Sequence, residues 1–114
     1  MTLLGTRHQV LAGQPPTCFG TLGHRLAEHE LNEAAQYYDL EELGLGAAFL
    51  EEVDRCLESI QAHPEAGVIL REEVRRRLLR RFPYALLYRI KPSGIRILAV
   101  MNLKRRPTYW VGRE

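Results

Sequence analysis

Cysteine is scarce in this 114-residue chain, where Cys18 and Cys56 are the only two. Two isolated thiols without CxxC spacing make neither a disulfide framework nor a zinc site, and both are expected to be reduced. Histidine is confined to the first part of the chain: His8, His24, His29 and His63 all precede residue 70. None stands at a metal-ligand spacing from Cys, Asp or Glu, so no metal and no cofactor is expected. Apolar runs are short, as at residues 97–101, against the roughly 20 residues that a membrane-spanning helix needs. Arg7, His8 and Gln9 interrupt the only stretch that resembles a leader, so a cytoplasmic protein with no membrane contact is expected. The length suits one small domain, with no room for a cofactor domain joined to a substrate domain, and no small-molecule substrate is expected.

What is present is an ordinary globular composition, 46% apolar and 26% charged, with an uneven placement of charge. Residues 1–70 hold 3 basic side chains (Arg7, Arg25 and Arg55) against 11 acidic ones, a net of −8, whereas residues 71–114 hold 13 against 3, a net of +10. The formal charge of +2 conceals this separation. A basic half favours a polyanion or an acidic protein partner, unless the two halves neutralise each other within the fold.

Residues 1–23 carry Gly5, Gly13, Gly20, Gly23 and the pair Pro15, Pro16, so a loose arm is expected there, with at most a short strand at residues 17–22. From residue 24 to 39, Leu26, Ala27, Leu31, Ala34, Ala35 and Tyr38 form one helical stripe with Glu28, Glu30 and Glu33 outside it. A second helix follows Gly44 and Gly46, with Leu45, Phe49, Val53, Cys56, Leu57 and Ile60 on its apolar face, and Pro64 ends it. Glu51 and Arg55, one turn apart, are expected to pair. The short glycine-rich link makes the two helices an antiparallel hairpin. The period then changes. Residues 74–80, 84–91 and 95–102 read as strands, separated by Phe82-Pro83 and by Pro92-Ser93-Gly94, the second a tight antiparallel turn. The expected fold is α+β, a helical hairpin packed on a three- to four-stranded antiparallel sheet, with a single domain over residues 24–114.

At this point the sequence resembles a known family. Leu31, Asn32, Glu33, Ala34, Ala35, Gln36, Tyr37 and Tyr38, followed by Gly44-Leu45-Gly46 and Phe49-Leu50-Glu51-Glu52-Val53, are similar to the helical hairpin of the RelE/ParE toxins of type II toxin-antitoxin systems. Arg80-Arg81-Phe82-Pro83-Tyr84, Leu87-Tyr88-Arg89-Ile90, Ile97-Leu98-Ala99-Val100 and the segment from Arg105 and Arg106 to Tyr109 and Trp110 resemble the ParE, or plasmid-stabilisation, branch. Two departures stand out. Family members usually have a clear strand just before the first helix, where this chain has Pro16, Gly20 and Gly23. They also commonly carry a histidine where this chain has Asn102.

The resemblance implies a toxin neutralised by a cognate antitoxin, with two candidate modes of action. Binding and inhibition of DNA gyrase needs a shaped surface and no bond-making residue. For it, Arg76, Arg80, Arg81, Arg105 and Arg106 would form an electropositive platform with Tyr109 and Trp110 as aromatic anchors. Because neighbours along a strand point to opposite faces, Arg75, Arg76 and Arg77 cannot all meet one partner, and Trp110 has packing on the sheet as its plain alternative. Ribosome-dependent cleavage of mRNA, as in RelE relatives, would instead use Arg80, Arg89, Lys104, Arg105 and Tyr109, and it lacks a histidine in the basic half for proton transfer. No catalytic residue is assigned, and binding is the preferred reading. An inactive relative that binds only its partner is the third. Leu45, Phe49, Val53 and Leu86 are the expected antitoxin-facing apolar walls, with plain core as their alternative.

Overall fold

The computed structural model describes residues 23–105 and 108–113. The expected arm and its short strand at residues 17–22 lie outside the described residues, as does Arg106. Helix α1 runs Arg25–Glu41 and helix α2 Leu45–Ala62. A 3-10 turn at Pro64–Ala66 leads into strands β1 (Val68–Arg71), β2 (Val74–Leu78), β3 (Tyr84–Lys91) and β4 (Gly94–Asn102). The four strands form one antiparallel sheet in the order β1-β2-β3-β4.

The hairpin is closed by local chemistry. His24 caps α1, its Nδ1 accepting the Leu26 N–H at 3.1 Å, which occupies one of the donors a helix start leaves unpaired. At the far end Asp39 Oδ1 accepts the N–H groups of Gly44 (3.2 Å) and Gly46 (2.8 Å), fixing the start of α2 to the end of α1. Gly44 adopts φ 90°, which side chains rarely tolerate. A Cβ on Gly46 would lie 2.4 Å from the Ala35 carbonyl oxygen, so the helices approach this closely only because glycine is there.

The stripes predicted from spacing are the ones buried. Ala27, Leu31, Ala34, Phe49, Val53, Leu57 and Ile60 meet Leu79, Phe82, Leu86, Tyr88, Ile97 and Val100 of the sheet's helix side. Tyr38, Phe49, Phe82 and Tyr84 form an aromatic cluster with ring centroids 4.8–5.4 Å apart between Tyr38 and Phe82, Phe49 and Phe82, Phe49 and Tyr84, and Tyr38 and Phe49. The opposite face has its own smaller core of Val74, Ala85, Leu87, Leu98, Ala99 and Met101, covered by Trp110 and flanked by Tyr109.

Three details depart from the sequence reading. Residues 68–71 form a strand that composition did not announce. Its turn to β2 is made by Glu72 at φ 52°, where asparagine or glycine would have marked the hairpin. Strand β2 ends at Leu78 because Glu52, buried at 4% exposure, reaches from α2 and its Oε2 accepts the N–H groups of Arg80 and of Arg81 (2.8 Å), bending the chain away from the ladder. The expected Glu51–Arg55 pair is not formed. Arg55 instead lines a cavity between α2 and β2.

Candidate functional site

Strand alternation divides the arginines of β2. Arg75 and Arg77 lie on the helix side, opposite Tyr88 and Leu86. Arg75 Nη1 donates to the carbonyls of Glu65 (3.0 Å) and Gly67 (3.1 Å), and Arg77 donates to Ser59 Oγ of α2, so both tie the sheet to the helical layer. Arg76 points to the other face, level with Leu87. On that face Arg89 stands opposite Val74 on one side and Arg96 on the other, which sets Arg76, Arg89 and Arg96 in neighbouring rows across three strands. The Nε atoms of Arg76 and Arg89 are buried without a hydrogen-bond partner among the described residues. Arg89 is 3.9 Å from Glu72, a carboxylate whose side chain is 73% exposed, so this pair is weak. Arg96 was not singled out in the sequence, although a two-residue turn at Pro92-Ser93 makes it the cross-strand neighbour of Arg89.

A second basic group sits at one end of the sheet. Arg80 and Arg81 leave the end of β2, and Lys104 and Arg105 leave the end of β4. The two segments are joined by the Leu103 N–H to Pro83 carbonyl bond at 2.9 Å. Leu79 N–H to Tyr84 carbonyl (2.9 Å) and the Glu52 carboxylate fix the first segment. Asn102 fixes the second, its Oδ1 accepting the Lys104 N–H at 2.9 Å. Arg80, Arg81, Lys104 and Arg105 are all exposed, and none is paired with a carboxylate among the described residues. Arg81 lies over the Phe82 ring at 5.4 Å and Arg105 over the Tyr109 ring at 4.2 Å, which holds the guanidinium groups in place without neutralising them. The predicted platform is therefore two groups. Arg80, Arg81 and Arg105 share the sheet end, while Arg76 belongs to the far face with Arg89.

The aromatic anchors are placed differently from one another. Trp110 is 4% exposed and packs on the far face, the plain alternative stated for it, so as placed it supports the sheet and presents no ring to a partner. Tyr109 is half-buried between two guanidinium groups, Arg105 and Arg113, and its hydroxyl donates to the Val100 carbonyl at 3.4 Å. Burial first, and the neighbouring Glu30 carboxylate second, push its ionisation far above the ordinary tyrosine range. Such a phenol is a poor base at neutral pH. Arg113, which the sequence reading did not single out, closes this segment. Its Nη1 and Nη2 donate to Glu30 Oε1 (3.1 Å) and Oε2 (2.9 Å), and Nη1 also donates to the Leu98 carbonyl at 2.9 Å. Glu30 Oε1 also accepts the Val100 N–H at 2.9 Å, so the pair closes part of the outer edge of β4.

The four apolar walls are core or nearly so. Phe49, Val53 and Leu86 have no exposed surface, and Leu45 is partly buried against them. Exposed apolar surface lies instead at the tip of the helical hairpin, at Tyr37, Leu40 and Leu43. Beside it runs a groove in two lobes of about 230 and 200 Å³ that share Tyr37, Tyr84 and Asn102. Glu30, Glu33 and Arg105 line the first lobe, and Lys104 lines the second.

Comparison with known proteins gives a consistent picture. The family model described as the ParE toxin of type II toxin-antitoxin system, parDE, matches residues 24–107. Among solved structures, a chain of the chromosomal ParDE TA system from P. aeruginosa superposes with a TM-score of 0.64 at 21% identity, covering 72% of this chain and 92% of that one. At that identity the likeness is one of fold. No curated protein matches the sequence.

Proposed function

Because the chain belongs to the ParE toxin family of type II toxin-antitoxin systems, we propose that it acts by binding and inhibiting a cellular target, of the DNA gyrase type, and is silenced by a cognate antitoxin. The observation that carries this reading is the sheet end, where Arg80, Arg81, Lys104 and Arg105 stand exposed on fixed backbone with no carboxylate partner among the described residues. Cations held in one place without counter-charges steer and grip an acidic surface at little ordering cost. Binding of this kind asks for no proton carrier. Tyr109, the phenol named for a ribonuclease role, is held protonated, and Asn102 occupies the position where the resemblance leads one to expect a histidine. The far-face row of Arg76, Arg89 and Arg96 supplies a second cationic surface that a large target can reach on the same side as Tyr109.

The test has two parts. Expression of the chain alone in a bacterial host should arrest growth, and purified protein should lower supercoiling by gyrase. The triple variant Arg80→Ala, Arg81→Ala, Arg105→Ala should do neither while remaining folded, because all three side chains are exposed. Gyrase left untouched at micromolar protein, with message cleaved on ribosomes instead, would move the assignment to the nuclease reading. Unhindered growth of cells making soluble protein would leave only an inactive relative.

A further inference from the structure

The cavity between α2 and β2 shares only Arg80 with the cationic surfaces described above. It measures about 260 Å³ and is lined by Glu52, Arg55, Cys56 and Ser59 of α2 and by Arg77, Leu78, Leu79 and Arg80 of β2 and the loop after it. Its lining holds three guanidinium groups against one carboxylate. That carboxylate is engaged through one oxygen, since Glu52 Oε2 accepts the N–H groups of Arg80 and Arg81, while Oε1 is buried with no hydrogen-bond partner among the described residues, so the lining keeps a net excess of two cations. Arg55 sits on a helix face rich in acids and still pairs with none of them, and Arg80 has no carboxylate partner among the described residues. Arg77 Nη1 is buried without an acceptor among the described residues, although Nη2 of the same group donates to Ser59. A donor hidden in this way is destabilising until something accepts from it.

We infer that this cavity receives an acidic side chain from a protein partner, its carboxylate held by Arg55, Arg77 and Arg80. Planar guanidinium forks match a carboxylate edge-on, and three of them around one pocket discriminate an anion from a neutral amide. The volume falls below the roughly 300–1,000 Å³ usual for small-molecule and cofactor sites, so a single side chain fits it better than a free metabolite. Leu78, 53% exposed at the rim, offers apolar surface to the methylene stem and backbone of a peptide, which a free phosphate would leave uncovered. The partner that silences the chain is the source of this side chain. That identification rests on the toxin reading, whereas the binding of a carboxylate does not. Arg80 belongs both to this pocket and to the exposed sheet end, so an acidic residue seated here takes one cation away from the target surface.

Cys56 lies in the cavity wall and reports on it. Burial raises its thiol to about 11, so alkylation is slow and is followed at one fixed alkaline pH. With Cys18→Ser protein, a synthetic decapeptide alternating Glu and Leu should slow alkylation of Cys56 by about tenfold at ten times its Kd, because only the unliganded form reacts. The same peptide with Gln in place of Glu should protect little, as should inorganic phosphate. Arg55→Glu, an exposed change that leaves the core intact, should abolish protection, and Arg77→Met should do the same if it folds. Equal protection by the Gln peptide, full protection by phosphate, protection that survives Arg55→Glu, or none at millimolar Glu peptide would each overturn the proposal. Growth arrest is scored separately, so loss of arrest with intact protection strikes only the toxin reading.

Discussion

The Glu30–Arg113 pair offers the most quantitative test of how the far face is held. Both side chains are largely buried, at 14% and 12% exposure, and they meet through two hydrogen bonds of 3.1 and 2.9 Å. With charge centres about 4 Å apart and an effective dielectric near 20, the attraction is about 4 kcal/mol, and the desolvation of two partly buried ions cancels about half of it. The coupling energy is therefore expected to be about 2 kcal/mol. Arg113→Met takes both guanidinium hydrogen bonds from Glu30, leaving it the Val100 N–H and the Tyr109 hydroxyl, and removes the donor from the Leu98 carbonyl, for a loss of about 3 kcal/mol. Glu30→Gln keeps an acceptor for Val100 and should lose about 2 kcal/mol. The double variant should then lose about 3 kcal/mol where simple addition gives about 5. Urea unfolding followed by the fluorescence of Trp110, the chain's single tryptophan, reads all four proteins. Arg113→Met should also shift the Trp110 emission to the red before any unfolding, as the segment that carries it loosens. Losses that add within about 0.5 kcal/mol would refute the argument, because two independent sites would behave so.

Three further outcomes follow from the same geometry. Glu52→Ala should lower stability by about 2–3 kcal/mol, and Glu52→Gln, which retains an acceptor for the Arg80 and Arg81 N–H groups, by about 1 kcal/mol in urea melts; equal losses would show that the charge has no part in it. Gly46→Ala drives a Cβ against the Ala35 carbonyl and should cost about 2–3 kcal/mol by forcing the helices apart, measured as a fall in thermal midpoint; a neutral result would mean that the hairpin adjusts freely. His24 has its pKa lowered, first by burial and then by Arg113 and other nearby cations. A depressed folded-state pKa makes this group's contribution complete above its unfolded value near 6.5, and it is lost as pH falls through the lower folded value. Protonation removes the Nδ1 acceptor from Leu26, so His24→Asn, which still caps the helix, should flatten this part of the pH dependence; an unchanged slope would locate the effect elsewhere.

The division between what could be read from residues and what could not is instructive. The helices followed from the three-to-four spacing of Leu31, Ala34 and Phe49, Val53, Ile60, and the β3-β4 hairpin from Pro92-Ser93-Gly94, because apolar periodicity and turn chemistry are local properties. Strand β1 escaped because four residues between a glycine and the turn residue Glu72 leave too little periodicity to detect. That Arg75 and Arg77 face away from Arg76 was also legible, since alternation along a strand admits no other arrangement.

The sequence by itself determined the fold class, the family and the concentration of cations in the second half of the chain. Only the tertiary structure decided which cations remain free. Glu30 claims Arg113 and Glu52 claims the backbone of Arg80 and Arg81 across separations of 83, 28 and 29 residues. The same packing buries Trp110 and leaves Arg80, Arg81, Lys104 and Arg105 without counter-charges among the described residues. Pairing across such distances depends on how a helix face is laid on a sheet, and no local pattern of residues records that.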